Sequence, residues 1–162
     1  MLPFPGEPGE PGRTRLRIRS ATENDLPQLE RLDEEAFPCN AYPFFVLRQL
    51  ITAFPDFLLL LEEDGAVHGY VLATSPHEAQ SWILSLAIAP VQRGRGLGRQ
   101  LMTELLGGLR ARGTHSAWLS VEPGNETAVA LYLSLGFVPD PGGPREDCFG
   151  PGEDRLLMSL TL

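Results

Sequence analysis

The chain has 162 residues, of which 43% are apolar and 21% charged, enough for one globular domain with a sizeable core. All 13 of its basic residues are arginine, which excludes Schiff-base lysine chemistry, pyridoxal-phosphate attachment and the P-loop lysine. The net charge of −8 argues against general nucleic-acid binding, and apolar runs such as Phe57 to Leu61 fall far short of the roughly 20 residues of a membrane span. The N-terminus shows no signal-peptide pattern. Cys39 and Cys148 lie far apart, and His68, His77 and His115 never fall at i, i+4. No metal is expected, and the thiols are expected to be free in a cytoplasmic protein.

Residues 2–12, LPFPGEPGEPG, read as a disordered proline- and glycine-rich leader (1–12), followed by a single domain over 13–162. Leu16 and Ile18 alternate with arginines, the pattern of a half-buried strand. Thr22 is placed to cap a helix in which Leu26, Leu29, Leu32 and Ala36 recur at helical spacing. Pro38 ends that helix, and Pro43 opens another through Leu47, Leu50 and Ile51. Residues 57–63 and 66–73 predict a hairpin about Asp64-Gly65. The dense apolar run Trp82 to Ala89 predicts a central strand buried on both faces. Leu97, Leu101, Leu105 and Leu109 then mark an amphipathic helix closed by Gly113. His115 to Val121 is the next strand, and Asn125 caps a helix that Gly136 stops. Strands from Phe137 and over Arg155–Leu162 flank a polar loop, 139–154. The order βααβββαβαββ is an α/β arrangement with helices following central strands.

The chemistry-bearing stretch is Pro90-Val91-Gln92-Arg93-Gly94-Arg95-Gly96-Leu97-Gly98-Arg99, between the apolar strand and its helix. Glycines let the backbone bend and admit an anion to the free amides of the helix start, where the dipole favours phosphate oxygens. Arg93, Arg95, Arg99, Arg110 and Arg112 face one acid, Glu104, over residues 93–112, a cationic island on an acidic chain. Gly98 within the first helical turn costs about 1 kcal/mol relative to alanine, which a close ligand approach would explain. A dinucleotide fingerprint fits poorly. The spacing is G-x-G-x-G, the turn follows the fourth strand, and Ser120 and Val121 stand where a ribose-binding acid is expected.

Arg93-x-x-Gly96-x-Gly98 after LSLAIAP resembles the acyl-CoA signature of the GNAT N-acetyltransferases. WLSVEPGNETAVALYLSLGF, residues 118–137, is similar to that family's asparagine-led helix with its A-x-x-L-Y-x-x-x-G-F ending. The likeness covers residues 14–162 and leans towards the bacterial ribosomal-protein N-terminal alanine acetyltransferases. It implies a mixed α/β (α+β) fold, a mostly antiparallel sheet flanked by about four helices, with a splayed parallel strand pair at its centre. It also implies direct transfer from acetyl-CoA to a primary amine, belonging to a small molecule or a polypeptide N-terminus. The expected assembly is a monomer or homodimer, with neither nucleic acid nor membrane as partner.

The resemblance assigns Arg93, Gly94, Arg95, Gly96, Leu97, Gly98 and Arg99 to the coenzyme A pyrophosphate. Leu86, Ala87 and Ile88 would offer backbone groups to the pantetheine arm and acetyl carbonyl, and Asn125 would contact the donor. Tyr132 would lie near the sulfur, where a phenol can protonate a leaving thiolate. In the alanine acetyltransferases a glutamate matches Ser120, which cannot serve as a base. Glu122, two residues on, is the expected replacement, directly or through water. Glu35, His77 and Glu78 are further candidates, and Ser85 could order a water. The acceptor side is expected from Glu35, Phe37, Tyr42 and Phe149, carboxylates beside aromatics suiting an amine with an apolar body. Phe149 stands where relatives often carry a tyrosine pair. The competing class is a non-catalytic acyl-CoA-binding or sensing module, and a third reading is a nucleotide-binding regulatory domain.

Overall fold

The computed structural model describes residues 15–162; the expected leader and residues 13 and 14 lie outside them. Along the chain run β1 (Leu16–Ser20), α1 (Leu26–Ala36), α2 (Phe44–Ala53), β2 (Leu58–Glu63), β3 (Ala66–Ala73), β4 (Gln80–Ile88), α3 (Leu97–Ala111), β5 (Ser116–Val121), α4 (Glu126–Ser134), β6 (Val138–Pro139) and β7 (Leu156–Thr161). The strands form one sheet in the order β1-β2-β3-β4-β5-β7-β6. Every neighbouring pair is antiparallel except β4 and β5. The architecture is thus the expected mixed sheet with four α-helices and a central parallel pair.

Alternation along the strands sorts side chains into two cores. Val71, Ala73, Ile83, Ala117, Leu119 and Val121 face α3 and α4, and meet Leu97, Leu101, Leu105 and Leu109, none more than 3% exposed. Leu58, Leu60, Tyr70, Leu72 and Ala87 face the other way and meet Leu29, Leu32 and Leu47 of α1 and α2. The β2–β3 hairpin turns through Asp64 and Gly65 at φ 51° and 79°, the left-handed pair that a tight hairpin needs.

Three expectations change. Thr22 caps a single 3₁₀ turn, Glu23–Asp25, and α1 starts only at Leu26, with Pro27 in its first turn. Arg19 clamps Asp25 at 2.7 and 2.8 Å, and the carboxylate also accepts the Thr22 N–H at 2.7 Å. The guanidinium holds Asp25 below the usual carboxylate range, so the corner is set by a charge that composition does not reveal. Next, the strand expected from Phe137 shrinks to Val138–Pro139, because proline lacks the N–H to extend a ladder. Finally, β4 is not buried on both faces: Leu84 is 41% exposed, for the reason given below.

One glycine sets how closely β3 approaches β4 at the future cleft. A Cβ on Gly69 would stand 2.6 Å from Ile88 Cδ1 and 3.0 Å from the Ala87 carbonyl. Gly69→Ala therefore displaces the end of β4. It should destabilise the protein by about 1–3 kcal/mol in urea unfolding, the range for overpacking. An unchanged midpoint would show that Ile88 relaxes without strain.

Candidate active site

β4 and β5 stay paired only from Gln80 to Ile83, against Ser116 to Leu119. The register of β3 against β4 shifts at this point: Leu72 opposes Ser85 and Ala73 opposes Ile83, leaving Leu84 as an extra residue. This bulge bends the strand and reverses its facing. Ile83 belongs to the α3 core, whereas Ala87 belongs to the α1 core. Beyond the bulge β4 still pairs with β3, while its other backbone edge, over Leu86–Ile88, looks across a gap at β5.

The gap continues into a cleft of about 560 Å³. Leu86, Ala87 and Ile88 form one wall, and Glu122, Asn125, Thr127, Ala128, Leu131 and Tyr132 the other. Arg93, Gly94, Gly96, Leu97, Gly98 and Arg99 close one end, and Ala36 and Phe37 of α1 and its C-terminal cap lie at the cleft as well. Strand end, glycine loop and α4, which sequence assigned to one ligand, therefore meet in one cavity. Ala36, Gln92, Thr127, Ala128 and Leu131 were not assigned to a ligand from sequence. The α4 members could have been, since Thr127 and Leu131, like Ala128 and Tyr132, are i, i+4 pairs on one helix face.

The loop fits an anionic donor. Gly94 and Gly96 take φ of 83° and 74°, and a Cβ built on either meets nothing within 4 Å. Glycine is thus required by backbone conformation, and the space beside it is open. Gly96 is the N-cap of α3, and no side chain caps the helix, leaving its first amides to an external acceptor. Gly98 has ordinary φ, but its Cβ would lie 3.3 Å from Leu131, so it also makes room for α4. The arginines divide. Arg93 donates to the Ile88 carbonyl at 3.3 Å, and Arg99 to the Ser134 hydroxyl. Arg95 is not among the lining residues; it pairs with Glu63 of β2 at 3.2 Å and donates to the cleft residue Gln92 at 2.5 Å.

Tyr132 is 8% exposed, and its ring packs against Phe137 with centroids 5.8 Å apart. Its hydroxyl has no hydrogen-bond partner among the described residues, and burial pushes the phenol up to about 12. Asn125 caps α4 by accepting the Ala128 N–H at 3.2 Å. Glu122 is exposed just past β5, the only carboxylate among the residues lining the cleft.

Of the expected acceptor residues, Phe37 lines the cleft, and Glu35 is exposed on α1 outside its lining. Tyr42 packs outside the lining, its backbone N–H donating to Asp33 at 2.6 Å. Phe149 is 61% exposed and stacks under the Arg155 guanidinium at 4.3 Å, away from the cleft lining. Sequence reasoning missed an aromatic pair: Trp82 and Trp118 stack with centroids 5.8 Å apart. They share a sheet face with Ser120, since Ala117, Leu119 and Val121 point to the opposite core.

A sheet splayed between two parallel strands, with an uncapped glycine-rich helix start at one end of the gap, defines a protein that binds an extended, phosphate-bearing acyl donor. The model of the Acetyltransferase (GNAT) family matches residues 24–137, and the chain belongs to that family. Its activity is acetyl-CoA-dependent N-acetylation. The [ribosomal protein bS18]-alanine N-acetyltransferase of Escherichia coli (strain K12) is 40% identical over 149 residues, 90% of this chain and 97% of that protein. Mycothiol acetyltransferase of Beutenbergia cavernae is 36% identical over 140 residues, 80% of this chain; the chain spans only 46% of that longer relative. The crystal structure of ribosomal-protein-alanine N-acetyltransferase from Brucella melitensis superposes with a TM-score of 0.77 at 30% identity, covering 91% of this chain and 100% of that one. Among the described residues no helix is long and apolar enough to cross a membrane.

The loop geometry gives a paired test. Gly96→Ala adds only backbone strain, whereas Gly96→Glu adds the same strain and a carboxylate where the anion is expected. Coenzyme A affinity, read by titration calorimetry, should be more than about tenfold weaker for Glu than for Ala, equivalent to about 1.4 kcal/mol. Equal affinities would show that the phosphates lie elsewhere.

Proposed function

We propose that the chain acetylates the terminal amine of a polypeptide by direct transfer, with Tyr132 as general acid. The observation that carries this reading is the continuity of the unpaired β4 edge, the glycine loop and Tyr132 within one cleft. Acetyl-CoA supplies the acetyl thioester when bound. Gly94, Gly96, Gly98 and the α3 amides would hold its phosphates, with Arg93 and Arg99 beside them. The free backbone edge at Leu86–Ile88 would hold the pantetheine arm as an added strand. Support for direct transfer comes from the cleft lining, which includes no cysteine; Cys39 and Cys148 are exposed outside it.

Tyr132 gives its hydroxyl proton to the departing sulfur. Burial keeps the phenol protonated until the thiolate forms; the transfer moves the negative charge from sulfur to the Tyr132 oxygen, which a proton from solvent in the cleft then neutralises. Glu122, exposed at the cleft, draws the cationic amine towards it. Polypeptide acceptors are supported by the Escherichia coli and Brucella melitensis relatives, whose names give ribosomal-protein alanine acetylation. Similarity to mycothiol acetyltransferase favours a second reading, a small-molecule amine. Thiol release measured over a panel of peptides with varied N-terminal residues and small amines decides between them. A non-catalytic binding module would release no thiol with any amine.

Tyr132→Phe should lower kcat by about 10²-fold, with acetyl-CoA affinity and melting temperature nearly unchanged. No hydrogen bond to a described residue is lost, and the ring contact with Phe137 remains. A variant with full kcat would exclude the general-acid role.

A further inference from the structure

A carboxylate lies buried behind the acceptor side of the cleft with no cation beside it. Asp33 is fully buried on α1, and none of the ion pairs among the described residues includes it. Its oxygens are met only by neutral donors, the Tyr42 N–H at 2.6 Å and the Tyr70 O–H at 2.5 Å. The Tyr70 oxygen is in turn 2.9 Å from Ser85 Oγ. A carboxylate can only accept, so the one Tyr70 proton points to Asp33, and Ser85 must donate the second bond. Ser85 Oγ keeps free lone pairs. Its residue is half-buried, whereas Tyr70 and Asp33 are fully buried, so the chain opens outward at Ser85 alone.

The position of Ser85 is specific. It follows the bulge and precedes the unpaired edge at Leu86 and Ala87. With Ala87 and Tyr70 it faces α1, the same sheet face as Ser120 across the gap. Ser85 lies just outside the cleft lining and adjoins Leu86, the first residue of the β4 wall, so it is the nearest hydroxyl on that strand to an acyl group held along the edge.

We propose that Ser85, Tyr70 and Asp33 form a relay that takes the proton the acceptor amine must lose, an inference that rests on the N-acetyltransferase reading above. One N–H bond of the arriving ammonium breaks as an O–H bond forms on Ser85, and the nitrogen keeps the electron pair with which the neutral amine attacks the thioester carbonyl. The Ser85 hydrogen passes to the Tyr70 oxygen, and the Tyr70 hydrogen passes to Asp33, which ends as a neutral carboxylic acid. Ser85 touches the substrate; Tyr70 and Asp33 act through it. Asp33 ends the relay because its oxygens are held by two neutral donors, the Tyr42 N–H and the Tyr70 O–H, and no ion pair among the described residues includes it. The ionisable groups acting on Tyr70 are Asp33 from α1 and Tyr42 from the α1–α2 loop. Burial first, then the Asp33 charge, hold the Tyr70 phenol well above its ordinary value, so it passes a proton on without ionising itself.

The test compares wild type, Ser85→Ala, Tyr70→Phe and Glu122→Gln on the best amine of the panel. Rates are followed from about two units below to two units above that amine's pKa, near 8 for an α-amine. At neutral pH Ser85→Ala and Tyr70→Phe should lose about 10²-fold in kcat/KM for the amine, with stabilisation by acetyl-CoA unchanged. The deficit should vanish as solution deprotonates the amine, which a merely structural role would not produce. Ser85→Ala, which keeps the Tyr70–Asp33 bond, decides the matter should Tyr70→Phe fail to fold. Ser85→Ala within about threefold of wild type, losses equal at every pH, or a pH-dependent loss confined to Glu122→Gln would each overturn the relay alone. A wild-type protein that binds acetyl-CoA but releases thiol with no amine would overturn the transferase reading itself.

Discussion

The parting of β4 and β5 after four paired residues is the constraint on which the cleft depends. Backbone amides and carbonyls inside a sheet need partners, and an unfilled gap in its middle would ordinarily close. It stays open here because each strand is held by its other neighbour: β4 by β3 over Gly69–Ala73, and β5 by β7 over its whole length. The Leu84 bulge supplies the bend that aims the two strands apart. An extended ligand with its own amides can satisfy the exposed edge, and the glycine loop lies at the cleft's end to receive that ligand's charged head.

Most elements were legible because their patterns are local. The i, i+4 leucines of α3, the Asp64-Gly65 turn and the Asn125 cap depend on neighbours within one turn of chain, and each forms where the spacing placed it. The bulge was not legible. WILSLAIA holds neither glycine nor proline at Leu84, so the run reads as uniformly buried although one side chain is expelled. The acceptor wall was illegible for another reason. Asp33 meets Tyr70 from 37 positions away, and Ser85 lies a further 15 along the chain. No periodicity links residues on α1, β3 and β4, and nothing in the run Asp33-Glu34-Glu35 marks its first member as buried and its third as exposed.

Charge shows the same division between composition and geometry. Counting arginines near the loop gives a cationic island, but Glu63 of β2 removes Arg95 from it. That exposed arginine holds the Glu63 carboxylate below its usual range, and His68 leans on the same carboxylate at 3.3 Å. Arg93 and Arg99 remain beside the helix start, where backbone amides rather than side-chain charge provide most of the directed donors. Such a site suits a phosphate even on a chain with net charge −8, because uncapped amides act at hydrogen-bond range, whereas the surrounding acids are screened over roughly 8–10 Å.

Asp33 is hard to explain by stability alone. Buried charged groups can often be replaced by well-packed apolar residues at no loss of stability, and asparagine would offer Tyr70 an acceptor without the cost of a charge. What the carboxylate adds is the ability to change protonation state inside a fixed network. The same two bonds tie α1 to β3 and to the loop that carries Tyr42, so Ser85 is held at the bulge by the group that would accept its proton. Polar networks of this kind are strongly specified, because any member left unpaired in the core is penalised. A serine on β5, where the resemblance to the alanine acetyltransferases implies a glutamate, then need not mean a missing base. The carboxylate can stand on the opposite wall, behind two hydroxyls, provided that the sheet face shared by Ser85 and Ser120 is where the amine enters.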